Sequence, residues 1–172
     1  LDHDFGRLLD DLEQRGALDN SYLILTSDHG EMFAKGVSGH STPLVCEPGI
    51  RVPLLISAPG QQERRDIHAL TSTVDLLPTI LQLGGKPIPA WSEGQPLPGL
   101  GGAEQPERSI FVVEAKKNPA YQPLSKSTCA ILKWPYKLVL YRGYKNFDGK
   151  YELFNLENDP DELQNLYNQD PA

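Results

Sequence analysis

The sequence predicts an α/β protein in which a partial sheet with helices is followed by a small C-terminal antiparallel α+β subdomain. Apolar residues recur at spacings of three and four over residues 1–15, which indicates an amphipathic helix. A short loop and an apolar strand at 22–26 follow, and this order is half of a parallel α/β unit. Beyond residue 108, short apolar runs with tight connections favour an antiparallel sheet.

Composition limits the class of protein and of partner. The chain has 172 residues, 39% of them hydrophobic, which suffices for one domain or a domain with a small appendage. Its net charge of −7 argues against nonspecific binding to nucleic acid or anionic lipid, and no stretch approaches the roughly 20 apolar residues of a membrane span. The chain begins at Leu1 without an initiator Met, so we expect it to belong to a longer protein. Its two cysteines, Cys46 and Cys129, either pair or stay free.

The first half contains a long irregular stretch between two strands. Residues 27–49 are rich in Gly and Pro, and a loop of this length in a compact domain is usually functional or disordered. A second short buried strand is predicted at 52–56, and a helix at 74–83. Ser72 and Asp75 are predicted to form a capping pair at the start of that helix, so Asp75 is interpreted as a helix-terminal residue.

A Pro- and Gly-rich stretch marks the expected boundary between two units. The prediction is an α/β unit over 1–85, a linker or long surface loop over 86–107, and a small subdomain over 108–172. Four strands are predicted in the subdomain, at 110–113, 128–132, 136–141 and 151–156. A short final helix is predicted to begin at Asp159.

The most informative segment is Ser27-Asp28-His29-Gly30-Glu31, which directly follows the first predicted strand. Open α/β sheets bind their ligands at the carboxyl ends of strands. Asp oxygen and His nitrogen are good donors for a divalent ion, so Asp28 and His29 are candidate metal ligands. Gly30 is predicted to let the backbone turn sharply and to leave room for a substrate.

Further motifs follow in a fixed order along the chain. They are Gly39-His40, the segment EPGIRVPLLI at 47–56 with Ala58-Pro59-Gly60, VDLLPTI at 74–80, YKL at 136–138, and YELFNL at 151–156 with Asp159-Pro160. Together with the Asp-His loop, this series resembles the C-terminal part of the sulfatase family, within the alkaline phosphatase superfamily. The resemblance covers almost the whole chain. It implies part of an alkaline phosphatase-like sheet and the metal-dependent hydrolysis of a sulfate ester by the parent protein.

The resemblance also implies roles for individual residues. Asp28 and His29 match the pair that binds a divalent metal in the family, with Ca²⁺ favoured over Mn²⁺, Mg²⁺ or Zn²⁺. The family's nucleophile is a formylglycine made from Cys or Ser in a Cys/Ser-x-Pro-x-Arg motif. That motif is absent, so formylglycine is expected in a missing N-terminal part, and this chain alone is not expected to turn over substrate. Cys46 precedes Arg51 by one residue too many and lies after the metal loop, so it is not interpreted as the nucleophile.

Two further loop residues are candidates for substrate binding. The resemblance implies that His40 contacts the substrate, where it hydrogen-bonds a sulfuryl or phosphoryl oxygen or protonates the leaving group. The alternative is a loop histidine without a catalytic role. Many sulfatases place a lysine five residues before the residue that matches Glu47, but this chain has Thr42 there. Lys35 is the candidate replacement, with a solvated lysine as the alternative. Glu47 and Arg51 are predicted to pair and to hold the loop against the next strand.

Two other functions remain open at the level of sequence. The first is phosphoryl transfer by a phosphodiesterase, phosphonate monoester hydrolase or phospholipid head-group transferase, many of which share the Ser-Asp-His-Gly-Glu form. A second metal with His40 as ligand would point to that chemistry. The second is an inactive truncated paralogue that acts as a binding module. Because the strands at 22–26 and 52–56 are expected to be central, we also expect the isolated chain to self-associate or to need its N-terminal portion.

Overall fold

The structure is a computed structural model that describes residues 2–33, 35–36, 38–40, 43–115, 118 and 122–167. The first half contains α1 (Asp2–Gln14), β1 (Leu23–Thr26), the one-turn helix α2 (Glu47–Ile50), β2 (Leu54–Ser57), a 3₁₀ turn (Thr73–Asp75) and α3 (Leu76–Leu83). The second half contains β3 (Ser109–Glu114), β4 (Ser127–Lys133), β5 (Tyr136–Arg142) and β6 (Tyr151–Asn155). None of the helices among these residues is long and apolar enough to cross a bilayer.

Strands β1 and β2 form a two-stranded antiparallel sheet in which Leu23 pairs with Ser57 and Thr26 with Leu54. The predicted helix–loop–strand order is present as α1 followed by β1, and β2 adds an antiparallel neighbour to β1. Parallel neighbours need a crossover, usually a helix, that returns the chain to the starting edge. Here the connection is a long loop. Its only helix among the described residues is the short α2, and the second strand runs back along the first.

Helix α1 confirms the predicted amphipathic helix, although Leu1 lies outside the described residues. None of its 13 residues is buried, and Leu8 is 51% exposed. Leu25 in β1 and Leu55 in β2 are also exposed. Exposed apolar side chains at a short sheet are the physical reason for expecting self-association or a missing neighbour, which stays a prediction.

The second half forms a four-stranded antiparallel sheet in the order β3-β4-β5-β6, which confirms the four predicted strands. One face of this sheet carries the hydrophobic core, with Val139, Tyr141 and Phe154 all buried. Val45, from the loop before α2, belongs to the same cluster. The loop that follows the Asp-His motif is thus packed against the C-terminal sheet.

The helix predicted from Asp159 is replaced by turns up to Tyr167, where the described part of the subdomain ends. The Asp159 carboxylate accepts the backbone N–H groups of Leu163 at 2.9 Å and Gln164 at 2.8 Å. These two hydrogen bonds lower the pKa of the carboxyl group. Glu162 has a φ of 54°, in the left-handed region that a right-handed helix cannot contain. The aspartate therefore closes a turn, a role that its side chain favours as readily as helix capping.

The Pro- and Gly-rich stretch 86–107 is bound to α3. The backbone N–H of Leu97 donates to Thr79 Oγ1 at 2.8 Å, and that of Gln95 to Asp75 Oδ1 at 3.1 Å. Of the linker and the surface loop that the sequence left open for this stretch, the structure shows a surface loop that is held against the α/β unit. The boundaries assigned to the two units remain a prediction.

Asp75 is the central residue of this packing. Its carboxylate is fully buried and accepts the Ser72 N–H at 2.8 Å, as the predicted capping pair requires. Arg108, just before β3, donates to both carboxylate oxygens at 2.7 and 2.6 Å. Burial alone would raise the pKa of Asp75, but the hydrogen bonds from Arg108, Gln95 and Ser72 together lower it. Asp75 thus joins α3, the surface loop and the C-terminal sheet, in agreement with its interpretation as a structural residue.

We expect Asp75→Ala to lower the free energy of unfolding by about 3 kcal/mol, because it leaves the largely enclosed Arg108 guanidinium without its bidentate partner. Asp66→Ala is the matched control, since Asp66 pairs with Arg64 on the surface and its loss should cost below about 1 kcal/mol. Urea denaturation of the two variants at low protein concentration measures the difference.

The stability difference between wild type and Asp75→Ala is predicted to depend on pH. Because the folded pKa of Asp75 is lowered, its contribution is present above the unfolded-state value of about 3.9 and is lost as the pH falls through the folded value. The difference in unfolding free energy between wild type and Asp75→Ala should therefore be constant from about pH 5 to 7 and shrink below about pH 4. A difference that grows on acidification would contradict the assignment.

Lys137, on the inner face of β5, forms a second buried ion-pair group. Its side chain is fully buried, and its Nζ lies 3.1 Å from Glu47 Oε1 and 2.6 Å from Glu162 Oε1. Glu162 Oε2 in turn accepts the backbone N–H of Glu47 at 2.8 Å. The predicted Glu47–Arg51 pair is therefore wrong, because the Glu47 carboxylate is bound to the C-terminal sheet. Cys46 is buried beside this group, and burial, then the Glu162 charge, raise the pKa of its thiol.

We expect Lys137→Met to destabilise the protein by about 3–5 kcal/mol, because two carboxylates then stay enclosed without their cation. Lys133→Met, in the same hairpin, is the control. Lys133 pairs with Glu107 at a largely exposed position, and its replacement should cost below about 1 kcal/mol. Thermal and urea unfolding of both variants test this. Equal losses of stability in the two variants would show that the buried ion pairs of Lys137 contribute no more than the exposed pair of Lys133.

Candidate metal and ester-binding site

The Asp-His pair lies immediately beyond the carboxyl end of β1. Asp28 Oδ1 accepts the backbone N–H of His29 at 3.0 Å, and Asp28 Oδ2 lies 3.5 Å from His29 Nε2. The Asp28 side chain is 87% exposed, so its oxygens are accessible to an ion or a substrate. The apolar strand therefore presents a carboxylate and an imidazole side by side at its end, as the sequence predicts.

The donor atoms of this pair fit a single divalent ion. His29 Nδ1 is 2.9 Å from the Gly30 carbonyl oxygen, so Nδ1 carries the hydrogen and the Nε2 lone pair is available. Two ligands that are each about 2.0–2.6 Å from one ion lie roughly 3–3.6 Å apart when they subtend a right angle. The observed 3.5 Å between Asp28 Oδ2 and His29 Nε2 falls in that range.

Gly30 is required for a different reason from the one predicted. Its φ is not positive, and a Cβ at this position would lie 2.0 Å from the carbonyl oxygen of Pro48. The Gly30 N–H also donates to the Gly49 carbonyl at 2.9 Å. The space that a side chain would occupy is filled by the backbone of α2, not by a substrate. Glycine here allows the Asp-His loop to pack directly on α2.

Beyond Gly30 the loop closes into a short antiparallel bridge. Met32 pairs with Gly39, and the Gly39 N–H donates to the Met32 carbonyl at 2.9 Å. The Met32 side chain is 1% exposed and fixes this bridge to the interior. The next pair across the bridge is Glu31 and His40, and Glu31 Oε2 lies 3.2 Å from His40 Nδ1.

The bridge also brings His40 against the candidate metal ligand. The rings of His29 and His40 stack with centroids 3.9 Å apart and an interplanar angle of 29°. Asp28, His29 and His40 line one cleft of about 1160 Å³, whose other wall includes residues of β3. Three of the four site residues predicted from sequence therefore meet in one cleft.

The Lys35 side chain does not lie in this cleft. Its ammonium donates to the Glu162 carbonyl at 2.7 Å, lies 3.7 Å from Cys46 Sγ and is 5.4 Å from the centroid of the Phe154 ring. The described residues that line the cleft do not include it. The positive φ of 58° at Lys35 is part of the turn that directs this side chain to the C-terminal subdomain. Thr42, the position where the family resemblance implies a lysine, lies outside the described residues.

The sequence analysis did not assign Glu31 to the site. The nearest ligand atoms of His29, Glu31 and His40 all lie within 4.8 Å of one another. In the sequence Glu31 is only the last residue of the motif, whereas the structure makes it the partner of His40. Arg51 and His68 also line the cleft and add positive or titratable groups to it.

Known proteins resemble this chain along almost its whole length. The sulfatase family model matches residues 1–86. Arylsulfatase K of Xenopus laevis is 30% identical over 170 residues, which cover 96% of this chain and 31% of that protein. A solved 2-O GAG sulfatase is 27% identical with a TM-score of 0.67, over 87% of this chain and 32% of that one. A phosphonate monoester hydrolase from Silicibacter pomeroyi is 26% identical with a TM-score of 0.73, over 92% and 33%.

This chain thus spans about a third of the length of the relatives that it matches. The family model covers the half of the chain that contains the Asp-His loop, and the structural likeness extends through the C-terminal sheet. The four-stranded sheet, the Asp-His loop and their order along the chain agree with the alkaline phosphatase-like fold of these neighbours. The chain belongs to the sulfatase family.

Proposed function

We propose that the protein containing this chain is a metal-dependent sulfatase that hydrolyses a sulfate ester, and that this chain supplies one side of the active site. The observation that carries the proposal is the meeting of Asp28, His29 and His40 at the carboxyl end of β1, in one open cleft. The relatives are about three times longer, so turnover is assigned to the longer protein.

Each group has a role that its position supports. Asp28 and His29 hold one divalent ion, with Ca²⁺ preferred, and the ion supplies stabilisation of the charge that grows on the ester oxygens. A formylglycine nucleophile belongs to a segment outside this chain, as the family resemblance implies. His40 hydrogen-bonds an oxygen of the ester and donates a proton to the leaving oxygen. Lys35 is not retained as a substrate ligand, because its ammonium is engaged by Glu162.

Removing the predicted metal ligand should remove both the ion and the activity. In the longer protein we expect Asp28→Ala to lower bound divalent metal after dialysis, measured by mass spectrometry, and to reduce kcat by more than about 100-fold, which exceeds the effect of an outer-sphere partner. Asp66→Ala, an exposed aspartate outside the cleft, is the control and should change neither.

The result that overturns this assignment is full metal content and full activity in Asp28→Ala. A longer protein that binds no divalent ion and hydrolyses no ester would instead support the non-enzymatic binding module. The 172-residue chain alone should show no ester hydrolysis, since the family's nucleophile motif is absent from it.

Phosphoryl transfer is the second candidate function, and two observations favour it over the non-enzymatic binding module. One is the likeness to a phosphonate monoester hydrolase. The other is the proximity of His29, Glu31 and His40, which offer nitrogen and carboxylate donors within 4.8 Å for an additional ion.

Metal stoichiometry and substrate preference separate the two chemistries. We expect one divalent ion per protein molecule and a kcat/KM for an aryl sulfate that exceeds those for an aryl phosphodiester and a phosphonate monoester. Quantitative metal analysis and parallel assays of the three esters measure this. Two ions, with the second lost in His40→Ala, and faster cleavage of a phosphorus ester would assign the protein to phosphoryl transfer.

A further inference from the structure

We propose that Glu31 is a positioning residue that holds the His40 imidazole in its working orientation through the Glu31–His40 hydrogen bond. The inference rests on the proposed ester hydrolysis, because it assigns to Glu31 a role that is exerted through His40. Glu31 needs no contact with substrate or metal for this role.

The backbone makes this pair a consequence of the fold. In an antiparallel bridge the residues flanking the paired positions also face each other and share one side of the ladder. Met32 and Gly39 are the bridged pair, so Glu31 and His40 must project from the same side. Met32 is 1% exposed, whereas Glu31 and His40 retain about two fifths of their side-chain exposure. The buried residue thus fixes the bridge, and the two polar side chains stay partly exposed, with His40 at the cleft.

Gly39 provides the backbone conformation that brings the pair together. Its φ is 102°, a conformation that residues with a Cβ rarely adopt. The Gly-His order of the motif is thereby explained, since the glycine permits the turn and the next residue meets the carboxylate.

The hydrogen bond selects one tautomer of His40. An ionised carboxylate only accepts hydrogen bonds, so the Nδ1 atom 3.2 Å from Glu31 Oε2 must carry a hydrogen. Nε2 is then the ring nitrogen that is left for the ester, and it donates to an ester oxygen when the ring carries a second hydrogen there, as the imidazolium. The His29 ring stacked at 3.9 Å covers one face of His40, so rotation of the ring would break both contacts. The carboxylate at the ring edge and the imidazole on the ring face therefore orient a half-exposed side chain beside the metal ligand.

A double-mutant cycle in the longer protein tests the inference. With an aryl sulfate, Glu31→Ala should lower kcat about 10- to 100-fold with KM changed by less than about threefold, as expected for loss of an orienting partner. Glu31→Gln, which keeps an acceptor oxygen, should recover part of that loss. In the His40→Ala background, Glu31→Ala should have no further effect on kcat. Glu63→Ala, an exposed glutamate away from the cleft, is the control.

Two outcomes overturn the inference. An equal loss from Glu31→Ala with and without His40 would show that Glu31 acts independently of the histidine. Loss of bound metal in Glu31→Ala would make it a ligand instead.

A spectroscopic readout separates this inference from the proposed function. In ¹⁵N-histidine-labelled protein at a pH where the ring is neutral, His40 should be the Nδ1–H tautomer in the wild type and lose that preference in Glu31→Ala. If the wild type hydrolyses no ester, the proposed function fails while this tautomer measurement still decides whether Glu31 orients His40. An Nε2–H tautomer of His40 in the wild type would refute the positioning role.

Discussion

The geometry of the candidate site depends on the enclosed Lys137 ammonium. It binds Glu47 from α2 and Glu162 from the C-terminal turn, so three separate parts of the chain converge on one charge. A buried cation with two carboxylates tolerates little displacement, because loss of either contact leaves a charge without compensation in a medium of low dielectric. The position of α2 relative to the C-terminal sheet is fixed in this way.

The position of α2 in turn determines where the Asp-His loop lies. Gly30 packs so closely on the Pro48 carbonyl that no side chain fits between them, and its N–H is bound to Gly49. Asp28 and His29 directly precede this contact. The orientation of the candidate metal ligands thus follows from an ion pair in the C-terminal subdomain, which gives that subdomain a physical role in the site although it supplies no metal ligand of its own among the described residues.

Much of this arrangement is encoded locally and is readable from the sequence. The alternation of β4 to β6 and the apolar run before Asp28 predict the strands and the end at which ligands bind. The direction of β2 is not readable in the same way, because strand orientation is decided by the path of the connecting loop. Asp159 illustrates a second limit, since an aspartate that caps a helix and one that closes a turn have the same sequence signal.

The burial of Lys137 was predictable from the sequence but was not predicted. In a strand, Lys137, Val139 and Tyr141 point to the same face, which indicates a buried lysine that must have acidic partners.

Charge explains why the proposed reaction requires a metal ion at this loop. The loop carries the Asp28 carboxylate in the cleft and the Glu31 carboxylate beside His40, and both would repel an anionic sulfate or phosphate ester. The nearby lysine, Lys35, is bound to the C-terminal subdomain and cannot offset them from where it lies. In the proposed site, a divalent ion on Asp28 and His29 would reverse the sign of the local field, and the Glu31 carboxylate is engaged by its hydrogen bond with His40. In the proposed reaction the two histidines would therefore have complementary tasks: His29 would hold the positive ion that attracts the ester, and His40, oriented by Glu31, would donate the proton.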